Sequence, residues 1–389
     1  MKRPVAILLV GLSLWLASLA FGAVSADLDL SGEVNATDLA IMMGAWKQVL
    51  LGGTPDARAD VDNSGSVNWT DVKLFLDAYL MTAVVPPTPG RYIAFVSDRP
   101  GGSGGGDVYL FDRQANGGAG ALVALPGINS TSNDYVGSIT TDGRYIATYH
   151  GIAGQQNIYL YDRQANAGAG GFVSLSGDIN LTGLNYCTGM SPDARYLGVY
   201  NYWPGQSNAA AALWDRQAKS GAGGFVDMPN FNTAGDITEW PSVSKDAHYI
   251  AFMHKPDGTG TSWHIAVYDR VADKLLDLPN LNSAGQDEFP SISADGRYIA
   301  FQSNRDGGAA DWRVYLYDCT AQAMVTLSGM PSGFGPHLPS ISADGNYIAF
   351  SVNVAGNGNQ VELYDRGAGA LATLDGLNTT SSEDFATTR

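Results

Sequence analysis

The sequence predicts a mainly β fold, a six-bladed β-propeller preceded by a small all-α module, on three observations. The strand pattern Arg-Tyr-Ile-Ala-Phe returns at intervals near 50 residues from Arg91 onward. Gly is frequent, at 48 of 389 residues, beside 19 Tyr and 13 Phe, a mixture that suits short strands and tight turns. Two copies of a twelve-residue acidic loop, each followed by helically spaced apolar residues, occupy the N-terminal part. Composition also excludes classes. With 45% hydrophobic and 15% charged residues the chain can bury a sizeable core. Its 38 Asp plus Glu against 22 Lys plus Arg, net charge -16, is the wrong sign for nucleic-acid phosphates or anionic lipid.

Residues 1–26 read as a secretory signal peptide. Lys2 and Arg3 precede an apolar run from Val5 to Phe21, and the small residues Ala23, Ser25 and Ala26 follow, with cleavage expected after Ala26. An uncleaved anchor is the alternative, disfavoured because the run falls short of the ~20 residues of a span. No cysteine stands at the end of the run for a lipid anchor. Losing two cations takes the net charge from -16 to -18, and no later stretch is apolar enough to cross a bilayer. The mature chain is expected to be soluble and exported.

The first acidic loop places oxygen donors at Asp27, Asp29, Ser31, Asn35 and Asp38; the second, 33 residues on, places them at Asp60, Asp62, Ser64, Asn68 and Asp71. Gly32 and Gly65 stand at position 6, where the sharp turn needs φ > 0, and the backbone carbonyls of Glu33 and Ser66 complete the sets. Each loop carries the donors of a hard cation. Leu39, Met42, Met43, Trp46 and Leu50 follow the first at helical spacing, and Val72, Phe75, Leu76, Tyr79 and Leu80 the second. The duplicated loop-helix pair over 27–80, ending in Asp where an EF-hand has Glu, resembles a type I dockerin domain. That resemblance implies two calcium ions and calcium-dependent docking to a cohesin-type partner. Loop positions 10 and 11, which help such domains read a cohesin, are Ala36-Thr37 and Trp69-Thr70 here, where the family often has Ser-Thr. Another surface protein is therefore an alternative partner.

Residues 81–90 hold three prolines and read as a semi-rigid spacer. Beyond it, Tyr92, Tyr145, Tyr196, Tyr249, Tyr298 and Tyr347 mark the repeat, in steps of 53, 51, 53, 49 and 49. A period near 50 with several strand patterns per unit means a propeller or solenoid array. Each unit reads as four strands, but the first lacks its leading one; the segment from Ser382, with Phe385 aligned on Phe289, is expected to supply it and close a ring over 91–389. Ser291 to Phe301 (SISADGRYIAF) and the strand ending at Asp318 resemble the TolB-like, WD40-related repeat, which implies the propeller fold. The α/β domain that precedes the propeller in TolB is replaced by the dockerin-like module, so Tol-Pal function is not implied. Asp112, Asp162, Asp215, Asp269, Asp318 and Asp365 recur at strand ends and are expected to bind their own turns. Cys187 and Cys319 fall in non-adjacent units and are expected to stay unpaired.

One face of the ring collects Asp134, Tyr202, Trp203, His254, Asp287, Glu288, Arg305, Asp306 and His337. Of these, Trp203, His254, Asp287 and His337 are the candidate ligand contacts, since aromatics beside carboxylates on a Gly-rich rim suit a glycan or peptide. An ordinary solvated rim is the plain alternative. No His-Glu-x-x-His, no zinc spacing and no sialidase-type Asp box occurs, so no catalytic residue is assigned. The leading expectation is a secreted or cell-surface calcium-binding protein whose propeller binds a protein or glycan without turnover, with no nucleic-acid partner. The alternative is a carbohydrate-active enzyme, a glycoside hydrolase or polysaccharide lyase in polysaccharide catabolism, for which paired carboxylates such as Asp134 with Asp287, or Asp287 with Glu288, are the only handle. A structural surface component is a third class. The resemblances imply an extracellular or periplasmic place in a bacterium.

Overall fold

The structure, a computed structural model, describes residues 28, 36–61, 64–82, 88–102, 105–152, 155–176, 178–180, 183–202, 209–232, 235–258, 260–307, 311–331 and 335–389. The leader, most of the first acidic loop, Asp62 and Trp203 lie outside the described residues. The chain divides into two compact units, Met1–Pro86 and Pro87–Arg389. Among the described residues no helix is long and apolar enough to cross a membrane.

In the first unit, helices Ala36–Leu50 and Trp69–Thr82 each begin inside the end of an acidic loop. Asp38 and Asp71 thus sit in the first turns, where a carboxylate suits the helix dipole. Met42 and Phe75 are fully buried and form the core with Leu28, Ala45, Ala59, Val67 and Val72. The apolar stripe expected on the first helix is narrower than its sequence: Met43 and Leu50 are 55% and 70% exposed, and Ala45 takes the inward place. So small a core covers only one narrow face of the helix.

The second unit is a mainly β, propeller-like fold of four four-stranded sheets and one of eight strands. In the first sheet the order is Glu383–Thr388, Tyr92–Ser97, Asp107–Asp112, Ala121–Val123, so the end of the chain supplies the strand missing from the first repeat. The eight-stranded sheet joins Asp134–Ile139, Tyr145–Ile152, Gln155–Asp162 and Gly171–Val173 to Leu184–Met190, Tyr196–Tyr202, Ala209–Asp215 and Gly224–Phe225, through one parallel pair, Gln156 with Leu184. The other sheets start from Ile237–Val243, Asp287–Ile292 and His337–Ile341. These leading strands neighbour one another in cyclic order, and His337–Ile341 meets Glu383–Thr388 to complete the circuit.

Tyr92–Ser97 is buried from Ile93 onward on both faces, as a strand sandwiched between sheets must be. Phe95, Phe252, Phe301 and Phe350 hold one repeat position and are fully buried, each contributing about 1.5–3 kcal/mol. The strand-end aspartates are structural, but their main partner is the arginine that opens the repeat: Arg91 holds Asp112 at 2.7 Å, Arg144 holds Asp162 at 2.9 Å, Arg195 holds Asp215 at 2.9 Å and Arg297 holds Asp318 at 2.8 Å. Each aspartate also accepts a turn N–H, as Asp112 does from Gln114 at 2.9 Å.

The arginine after the aspartate reaches the preceding repeat. Arg163 lies over Tyr92, Arg216 over Tyr145, Arg270 over Tyr196 and Arg366 over Tyr298, while Arg113 lies over Tyr347 and joins the first repeat to the last. The same tyrosines explain a turn glycine: Gly143 has φ +69°, and a Cβ there would fall 2.5 Å from the Tyr92 ring. Cys319 stands in the arginine's place in one repeat. It and the buried Cys187 are both free thiols.

Candidate functional site

All of the second acidic loop but Asp62 and Asn63 is described. Asp60 receives the N–H groups of Ser64 (2.9 Å) and Gly65 (2.8 Å), and Gly65 has φ +86°. Asp71 is fully buried and accepts from Asn68 N at 2.8 Å; Thr70 N donates to Asn68 Oδ1 at 2.8 Å. Asp38, the matching last residue of the first loop, is also fully buried and accepts Leu28 N at 2.6 Å. These residues fit a hard cation: the loop is wound about its first aspartate, the glycine makes the turn, and the twelfth carboxylate is held inside. Among the described residues no cluster of three or more His, Cys, Asp or Glu is assembled, and Asp27, Asp29, Ser31, Glu33, Asn35 and Asp62 lie outside them. On the surface, Trp69 is 62% exposed and packs 5.8 Å from Trp46.

In the propeller, the leading strands share a β-bulge. The register shifts next to Val136, Cys187, Trp240, Phe289, Leu338 and Phe385. Trp240, Phe289, Leu338 and Phe385 have φ of 54°, 52°, 51° and 52°, a left-handed conformation that costs a bulky residue on the order of 1–3 kcal/mol. The bulges bring Val136, Trp240, Leu338 and Phe385 to a common central cavity. An arc of aromatic contacts runs from Phe385 through Tyr135, Tyr149, Tyr186, Tyr200 and Trp240 to Phe289, with ring centroids 4.6–6.0 Å apart.

One residue upstream of each bulge stand Tyr135, Tyr186, Glu239, Glu288, His337 and Asp384. Glu239 accepts the Tyr202 hydroxyl at 2.6 Å, and Glu288 accepts Gln302 Nε2 at 3.2 Å. Burial pushes the Glu239 carboxyl above its ordinary range, against the Tyr202 bond and the charge of Lys255. Burial also raises Glu288, and the charges of Asp287 and Glu239 add to it. His337 Nε2 lies 3.5 Å from Asp384 Oδ1 and Nδ1 lies 2.8 Å from the Gly335 carbonyl. Burial disfavours its charge, yet Asp384 and Gly335 outweigh that and raise its pKa.

The candidate rim residues separate. His254 Nε2 is 3.1 Å from Asp236, and Lys255 lies over the Trp263 ring beside it. Asp287 is fully buried: Arg305 donates at 2.7 Å, and Ser283 donates through N (2.7 Å) and Oγ (2.9 Å). Glu383 repeats this with Arg99 and Thr379, and Asp134 accepts from Ser130, with His150 Nδ1 2.9 Å from its other oxygen. These carboxylates pin the turns into three of the leading strands, each within its own sheet. A hydroxyl four residues before an acid, Ser130/Asp134, Ser283/Asp287 and Thr379/Glu383, was the sequence signal for that lock. Glu239, beside the bulge at Trp240, gives no sequence signal because a single glutamate in a strand carries no spacing.

Residues 25–81 match the family model described as Dockerin type I domain. No curated protein matches the chain. Among solved structures it is similar to TolB from Acinetobacter baumannii, with 17% identity, TM-score 0.53, and 83% of this chain and 73% of that one covered. It is also similar to hydrazine synthase from Kuenenia stuttgartiensis, with 11% identity, TM-score 0.51, and 77% of this chain and 47% of that one covered. The likeness to both is one of fold: the second unit has a propeller-like fold similar to theirs, and the segment before it matches the dockerin type I model.

Proposed function

We propose that the chain is an exported, extracellular or periplasmic protein that docks through its N-terminal module and binds a glycan or protein at the mouth of its propeller without turning it over. The module, over 27–80, takes two calcium ions, one on Asp27, Asp29, Ser31, Glu33, Asn35 and Asp38, the other on Asp60, Asp62, Ser64, Ser66, Asn68 and Asp71. Its partner is a cohesin-like or other surface protein, and exposed Trp69 with Thr70 supplies a contact. Calcium would neutralise carboxylates held inside the fold; the residues themselves wind the loop and start the helix. Residues 91–389 form six blades, the eight-stranded sheet counting as two because a single parallel pair joins its halves.

The observation that carries binding at the mouth is the strained bulge repeated at Trp240, Phe289, Leu338 and Phe385, of which Trp240, Leu338 and Phe385 line the central cavity, the four standing next in sequence to Glu239, Glu288, His337 and Asp384. His254 and His337 extend that surface, with Trp203 a further candidate contact, while Asp287, held by Arg305, acts as a positioning residue. Affinity electrophoresis of the full chain on soluble polysaccharides, with product analysis, tests the reading. Retarded migration that Trp240→Ala weakens, with no product, is expected. Product formed by the wild type and lost in Glu288→Gln would replace it with the carbohydrate-active enzyme.

A further inference from the structure

The residue after the closing strand breaks the repeat. Where other leading strands are followed by Thr140, Ser191, Ser244, Ser293 and Ser342, this one is followed by Arg389. The hydroxyls receive the N–H five residues on, as Thr140 does from Tyr145 at 2.9 Å. Arg389 keeps the main-chain part of the turn, its carbonyl accepting Gly90 N at 2.9 Å, but its side chain runs into the ring. Nη1 donates to the Ile292 carbonyl at 2.6 Å and Nη2 to Ser242 Oγ at 3.3 Å, on strands of two other sheets.

Arg389 is 3% exposed and lines the central cavity with Ser242, Ser291, Ser340 and Thr387. Its two bonds use two of the five N–H donors of a guanidinium, and no carboxylate of the described residues stands within ion-pair distance. Burial pulls its pKa down to about 10, so it is still a cation at neutral pH. An enclosed, unpaired cation costs several kcal/mol unless a counter-charge meets it. Ser242 Oγ and Ser291 Oγ accept the N–H groups of Ile292 and Ile341, both at 3.0 Å, which leaves their own O–H protons to point at a further acceptor. The cavity, about 40 Å³, admits about three water-sized groups and is far below the few hundred Å³ a sugar needs.

We infer that this cavity is a binding site for a small inorganic anion of halide size, held by the Arg389 guanidinium and the hydroxyls of Ser242 and Ser291. The anion links the closing strand to the opposite side of the ring, so it stabilises closure; the bulge residues Trp240, Leu338 and Phe385 line the same cavity.

Melting of the full chain in calcium-containing buffer, in sodium chloride against sodium gluconate at equal ionic strength, tests this. The wild type should melt several degrees higher in chloride, by a shift that grows with the logarithm of halide concentration. Arg389→Met should melt at the same temperature in both salts. Crystals of the wild type soaked in bromide should give an anomalous peak between Arg389, Ser242 and Ser291. Equal melting of the wild type in both salts with no such peak, or an unchanged halide shift in Arg389→Met, would overturn the site. Should Arg389→Met not fold, the bromide peak decides alone: present at Arg389 it supports the site, absent it refutes it.

Discussion

The helical unit buries Asp38 and Asp71 at the ends of its acidic loops, where they accept Leu28 N and Asn68 N, whereas the propeller sets Asp287 against Arg305 and Glu383 against Arg99. The difference teaches where each fold keeps its counter-charge. The first unit carries the acidic loops proposed to take a cation, whose mutual repulsion a bound cation would relieve; the second sets Asp287 and Glu383 against arginines of their own sheets. Conditions that remove a cation should therefore act on one unit, and breaks in the repeat on the other.

The largest effect should come from the repeat. Deleting residues 382–389 removes the strand paired with Tyr92–Ser97 and the side chains of Phe385, Ala386 and Arg389. The exposed edge and lost core should lower the propeller's melting temperature by about 10 °C or more, with aggregation visible by light scattering. An unchanged melt would show that closure lies elsewhere. On the other side of the comparison, Asp60→Ala should weaken calcium uptake at the second loop by on the order of 100-fold in calorimetry and leave the propeller's transition in place.

A finer contrast lies within the propeller. Arg305→Ala strands the buried Asp287 carboxylate and should cost about 3 kcal/mol in urea unfolding. Arg297→Ala should cost about 1 kcal/mol or less, because its side chain is 47% exposed beside Asp318. Equal costs would mean that burial does not set the value of these pairs.

The smallest effect concerns pH. Burial works against the charge of Asp384, but His337, Ser351 and the Phe385 N–H outweigh it and lower its pKa, while His337 is raised. The lowered Asp384 adds stability above the ordinary carboxylate range that is lost as pH falls through its depressed value. The raised His337 adds stability below the ordinary imidazole range that is lost as pH rises through its elevated value. The pair should thus stabilise most between those ranges, and His337→Gln should flatten the decline on the alkaline side in a melting profile against pH.

Much of this was legible in sequence because it is local or periodic. The Tyr-Ile-Ala-Phe strand, the Asp-Gly turn and the twelve-residue loops all lie within a few residues, and Phe385 could be aligned on Phe289 by its neighbours alone. The partners were harder. Arg91 meets Asp112 only through antiparallel register, and Arg113 meets Tyr347 only because the ring closes. Asp287 read as a rim residue because a carboxylate looks the same in sequence whether it faces water or Arg305. Arg389 carried no signal, since its acceptors lie on Ile292 and Ser242.

Differential scanning calorimetry of the full chain, in calcium and then in excess chelator, sets the two units side by side. Two transitions are expected, one that collapses to lower temperature in chelator and one, from the propeller, that stays within about a degree of its place. A single transition that moves as a whole, or two that both ignore the chelator, would contradict the division of counter-charge between the units.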